Sequence, residues 1–141
     1  MIRTLITFLV LGISASLMSQ SVVGIWKNEK NKEVQSHIEV YEKDGHLYAK
    51  VIKLFPHTKV THCHNCKDEL AGVNLLDVLI FYDLGKKGKK GKKWANGKIL
   101  DPESGKVYGC NVELKSSNRL KIRGYVGKPL FGKTFYWDRV L

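Results

Sequence analysis

Arg119-Leu120-Lys121-Ile122-Arg123-Gly124-Tyr125-Val126, written RLKIRGYV, changes character at every step. Leu120, Ile122, Gly124 and Val126 share one face, and Arg119, Lys121 and Arg123 share the other. This is the pattern of a β-strand with one buried and one wet side. The same period recurs on both flanks. Lys106 to Leu114 groups Tyr108, Cys110, Val112 and Leu114, and Lys133 to Val140 sets Phe135, Trp137 and Arg139 against Thr134, Tyr136, Asp138 and Val140. A helix would repeat its apolar residues every three to four positions, and these segments do not.

Further out, the pattern continues with short strands between turn signals. Val22 to Lys27 reads as a strand closing on Trp26, and Ile38 to Glu42 reads as a second. Asp44-Gly45 is a hairpin signal, after which His46 to Leu54 returns with Leu47, Ala49 and Val51 on one side. A polar passage from Pro56 to Gly72 reads as a functional or disulfide-tied loop. Val73 to Leu84, VNLLDVLIFYDL, is too apolar for periodicity to choose between a strand running into a bend and a short helix. Asn96-Gly97 is expected to split Trp94 to Leu100 with a turn, and Asp101-Pro102-Glu103-Ser104-Gly105 to make another. Seven or eight strands at spacings of about 8–12 residues predict an all-β, antiparallel barrel or sandwich of about eight strands with little helix.

With 141 residues, the chain has room for one domain. Its first twenty residues, MIRTLITFLVLGISASLMSQ, place Arg3 before an apolar run, the form of a secretory leader. That run is shorter than the ~20 residues needed to cross a bilayer, and no cysteine ends it as a lipid anchor would need. The expectation is a leader over 1–20 and a single domain over 21–141. The mature chain should be a soluble monomer without a transmembrane segment, periplasmic or extracellular, in an oxidising environment that favours disulfides.

Three cysteines are available there. Thr61-His62-Cys63-His64-Asn65-Cys66-Lys67 holds two of them, and the third, Cys110, lies on an apolar strand face. Redox catalysis would require a helix after Cys63-x-x-Cys66, and no helical pattern follows. A disulfide remains, either Cys63 to Cys66 or one of these to Cys110, with the partner left over a buried thiol. The metal alternative is an envelope protein holding zinc through Cys63, Cys66, Cys110 and one histidine, such as His62.

The formal net charge is +11, of which Arg3 supplies one and a single tract six. That tract, Lys86, Lys87, Lys89, Lys90, Lys92 and Lys93 among glycines, reads as a solvated loop. It lacks the interleaved aromatics of a nucleic-acid arm, so no nucleic-acid partner is expected. Its functional reading is contact with an anionic envelope surface, lipid or glycan. Asp77, Asp101 and Glu103 are the acids available for catalysis. They form no carboxylate pair or Ser/His/Asp order, so neither an enzyme nor a cofactor is expected.

Several motifs occur together in one order. These are Gly24-Ile25-Trp26; Ile99-Leu100-Asp101-Pro102-x-x-Gly105-Lys106-x-Tyr108; Leu120-x-x-Arg123-Gly124-Tyr125; and Gly132-x-Thr134-x-x-Trp137-x-Arg139. Over residues 22–140 the chain resembles the bacterial exported domain-of-unknown-function family 2147. The resemblance implies a calycin-like barrel, related in architecture to lipocalins, and no particular activity. It further implies that Gly24, Trp26 and Arg139 close the barrel, with the guanidinium across the indole. A barrel of this size holds either side chains or one small apolar or amphipathic ligand, so Tyr108, Tyr125, Phe135 and Trp137 are candidates for ligand contact or core.

Overall fold

The structure, a computed structural model, describes residues 21–140; the leader expected over 1–20 lies outside the described residues, as does position 141. Eight strands run in chain order around a closed antiparallel barrel: β1 (Gly24–Lys30), β2 (Glu33–Lys43), β3 (His46–Leu54), β4 (Leu79–Lys87), β5 (Lys93–Leu100), β6 (Val107–Ser116), β7 (Arg119–Tyr125) and β8 (Gly132–Arg139). Each pairs with the next, and β8 returns to β1. Between β3 and β4 lies a long loop with one 3-10 turn, Asp68–Leu70.

The predicted alternation holds through most of the last three strands, where Cys110, Val112, Leu114, Leu120, Ile122 and Trp137 face inward and are buried. It stops at Gly124: β7 ends at Tyr125, which is buried, and Val126, expected on the inward face, lies in the following loop and is exposed. Elsewhere the elements depart from expectation for local reasons. β2 begins at Glu33 rather than Ile38, because Asn31 and Lys32 both take positive φ (53° and 64°) and make a two-residue hairpin turn without glycine. Ser36 occupies an inward, buried position of β2, which hides the alternation in the sequence. The ambiguous run 73–84 resolves as loop to Val78 and strand from Leu79, with no helix among its residues.

Asn96-Gly97 does not split β5. Asn96 has φ 60° and the register to β6 shifts between Trp94 and Gly97, so the pair makes a bulge held by neighbours on both sides. Gly97 points inward, where a Cβ would collide with Leu84 and the Tyr82 carbonyl. The lysine tract is likewise not wholly a loop. Lys86 and Lys87 belong to β4 and Lys93 to β5, leaving the turn to residues 88–92, where Gly88 and Gly91 have positive φ.

An up-and-down order gives the barrel two unlike ends. The start of β1, the β2–β3, β4–β5 and β6–β7 hairpins and the end of β8 meet at one; the β1–β2 turn and the β3–β4, β5–β6 and β7–β8 connections meet at the other. The first end is closed. There Trp26 is fully buried and donates from Nε1 to the Val22 carbonyl at 2.9 Å. The Arg139 guanidinium lies 4.2 Å from the centre of its ring. Arg139 also donates to the carbonyls of Ser117 at 2.7 Å, Val23 at 3.1 Å and Ser21. Gly24 is required beside it, since a Cβ there would overlap the guanidinium.

Three chain segments therefore meet on one side chain. Arg139→Met keeps much of the bulk but removes the charge and leaves three carbonyls without this donor. Urea unfolding should show a loss of about 2–4 kcal/mol; a loss no larger than that of an exposed lysine substitution would remove Arg139 from this role.

Candidate functional site

Inward side chains are large near the closed end and small or sparse near the other. Trp26, Leu47, Phe81, Leu84 and Trp137 fill the lower barrel. Above them Ser36 and Gly124 add little bulk, and a cavity of about 690 Å³ opens toward the mouth. Ile38, Val51, Ile80, Ile99, Tyr108 and Trp137 form much of its wall. This volume lies within the roughly 300–1,000 Å³ typical of small-molecule sites. Phe135 shares the inward face of β8 with Trp137 and borders the cavity, so it stays 37% exposed although it points into the barrel.

Three aromatic rings make the floor on one side. Trp137 stacks on Phe81 with centroids 5.7 Å apart and planes at 12°, and meets Phe135 at 6.1 Å. The Trp137 Nε1 proton is buried and has no acceptor among the described residues. A donor left so costs on the order of 1–3 kcal/mol. Lys30, Lys59, Lys133, Asp101 and Glu103 stand at the rim.

The β3–β4 loop builds one side of the mouth. Cys63 and Cys66 are joined by a disulfide, and with Leu75, Val78 and Leu100 they form a second small core. Backbone bonds from Cys63 to Val73, Gly72 to Cys63 and Leu75 to Thr61, each 2.9 Å, fold the loop back on itself. Asn65 Nδ2 donates to the Glu103 carbonyl at 2.9 Å, tying the loop to the β5–β6 turn. In that turn Asp101 accepts from the Glu103 amide and the Ser104 hydroxyl, while Gly105, with φ 74°, leaves no room for a Cβ against Asn65. The Asp-Pro-x-x-Gly motif thus docks the turn under the disulfide loop. Thr58, Lys59, Val60 and Leu75 reach the cavity from here.

All four aromatic residues named from sequence border the cavity. Tyr125 does so from the rim, its ring covering Gly109 of β6. The aliphatic wall and the rim lysines escaped sequence reading. The period of β8 could have placed Lys133 beside Phe135, but nothing local marks Lys59, which a loop delivers.

The set considered for zinc is not brought together. Cys110 sits in the main core and Cys63 and Cys66 in the loop core, while His62 lies against the Thr61 hydroxyl. No group of three or more metal-ligating side chains forms among the described residues. Of the acids, Asp77 is exposed and Asp101 is engaged by its own turn. The lysine tract lies at the closed end, away from the cavity; Lys86 reaches Glu42 at 4.0 Å and covers the Trp94 ring at 5.3 Å.

A family model described as "Uncharacterized protein conserved in bacteria (DUF2147)" matches residues 24–139. Among solved structures, the chain is similar to protein HP1028 of the human pathogen Helicobacter pylori, described as belonging to the lipocalin family. The two share 26% identity with a TM-score of 0.73, over 86% of this chain and 84% of that one. No curated protein matches.

Cys110 is fully buried, and burial pushes its thiol up to about 12. The thiol is therefore neutral in the folded state well above the pH at which it ionises once unfolded. Its contribution to stability is complete below the unfolded value and is lost as pH rises toward 12. Native protein should take up no alkylating reagent at neutral pH, denatured protein one equivalent, and reduced denatured protein three. Cys110→Ala should flatten the alkaline fall in stability; an unchanged slope would assign it to other groups.

Proposed function

This chain belongs to the DUF2147 family, and on that premise we propose that it is a non-catalytic barrel that holds a small apolar or amphipathic molecule in its upper half. The observation that carries the reading is the 690 Å³ cavity with its aliphatic and aromatic wall, left open by small inward residues above a filled floor. Apolar surface in a concave, partly dry site favours an apolar guest by roughly 25 cal/mol for each Å² buried. The likeness to a lipocalin-family barrel supports the same reading.

We place the protein outside the cytoplasm, periplasmic or extracellular, on the leader-like residues 1–20 and on the Cys63–Cys66 disulfide, which suits an oxidising compartment. Contact with an anionic surface through the lysine tract is a second, separable reading. It is favoured by Lys87, Lys93, Lys121 and Arg123, which border a shallow groove on the wall beside the tract.

Ile99→Trp would fill the cavity from its wall. An environment-sensitive apolar dye such as N-phenylnaphthylamine should bind the wild-type protein and lose at least about tenfold in affinity in this variant, with the far-UV spectrum unchanged. Equal dye binding by both proteins would sink the cavity reading. Replacing the six tract lysines by serine should weaken binding to anionic vesicles and leave dye binding intact; vesicle binding that survives would remove the second reading.

A further inference from the structure

The barrel is closed unevenly. Seven of its strand contacts have between four and eight residue pairs, but β1 and β8 share only two, Trp26 with Arg139 and Lys27 with Asp138. Immediately above them the β1–β2 register shifts between Asn28 and Glu29, where Gln35 is an extra, unpaired residue of β2, and such a bulge increases the local twist of the pair. The upper halves of both strands thus face each other without a ladder between them. β8 responds as an edge would: Gly132 to Tyr136 is exposed on both faces, whereas Trp137, next to the last pairs, is buried. A seam runs from the mouth down one side of the cavity.

Its borders are chemically matched to each other. Asn28 and Lys30 line the cavity from β1, and Lys133 and Phe135 line it from β8. No ion pair among the described residues engages Lys30 or Lys133. Below them the wall is mostly apolar down to Trp137, with Asn28 and Ser36 its polar members, and beside them the β7–β8 loop exposes Leu130 (79%) and Phe131 (65%). A mostly apolar shaft under a pair of unpaired ammonium groups suits a molecule with a tail and an anion.

We propose that the β1–β8 seam is the headgroup site of the cavity, and that the ligand is a single-chain anionic amphiphile. Its chain lies in the barrel toward Trp137, and its carboxylate or phosphate sits in the seam between Lys30 and Lys133. The proposal rests on the cavity reading above but goes beyond it, because it assigns the polar end of the ligand to a place and a charge. Ammonium groups hydrogen-bonded to an anion make this end selective, while the shaft supplies affinity common to any chain of the same length.

The test measures displacement of the apolar dye by palmitate, by the uncharged alcohol of the same chain and by the alkyltrimethylammonium of the same chain. Wild-type protein should prefer palmitate to the alcohol by about tenfold or more and should bind the cation worst. Lys30→Ala with Lys133→Ala should bring palmitate and the alcohol within about twofold of each other while leaving the alcohol unchanged. Lys59→Ala, at the rim but off the seam, should keep the preference. An equivalent alkyl phosphate tells a carboxylate site from a general anion site, since either result fixes the headgroup class. The proposal is overturned if wild-type protein has no preference for the anion, if the double variant retains it, or if Lys59→Ala abolishes it equally. The cavity reading fails separately, when none of the three chains displaces the dye.

Discussion

Arg139 laid across Trp26 is the contact on which the rest of the barrel depends. A cyclic sheet of eight strands needs its first and last members joined, and here the ladder has two pairs, extended by one backbone bond from the Val140 amide to the Ile25 carbonyl at 2.9 Å. One guanidinium supplements that short ladder by stacking on the indole of β1 and donating to carbonyls of the segment before β1 and of the β6–β7 turn. Closing the barrel with a side chain rather than a long ladder concentrates the closure at one end. The other end is then free to stay apart, so the same economy of pairing that seals the floor opens the seam.

From that floor upward the interior is graded by size. Large rings and leucines pack below, and serine, glycine and branched aliphatics stand above, so the cavity follows from which residues occupy successive inward positions. Its mouth is shaped by the β3–β4 loop, which has too little apolar surface to fold alone and is fixed by the disulfide, by its own small core and by Asn65 reaching the β5–β6 turn. The turn motif Asp101 to Gly105 looks local in sequence, yet its glycine is needed because another part of the chain lies against it.

Legibility in the sequence followed the strength of the alternation. β6, β7 and β8 were readable because each keeps bulky apolar residues at alternate positions, and Asp44-Gly45 was readable because its turn chemistry is local. The turn at Asn31-Lys32 was not, since it bears no glycine, and Asn96-Gly97 misled because strands on both sides hold a turn-forming pair inside a ladder. Of the site, the aromatic residues could be nominated from their faces. Lys59 and the wall positions on β2, β3 and β4 could not, because membership of a cavity depends on which neighbours fail to fill it.

The sequence by itself determined the class of fold, through a period of two that only a sheet can bury, and the residue types available for closure, through Gly24, Trp26 and Arg139 at its two ends. Tertiary structure decided what was open and what was joined. It paired Cys63 with Cys66 and left Cys110 alone in the core, set the lysine tract at the end away from the cavity, and stopped the β1–β8 ladder after two pairs. The bridge spans only three residues, and what the fold decided there was that Cys110 is held away in the main core. The other two are relations between residues far apart in the chain, fixed by strand order and register once the barrel closes.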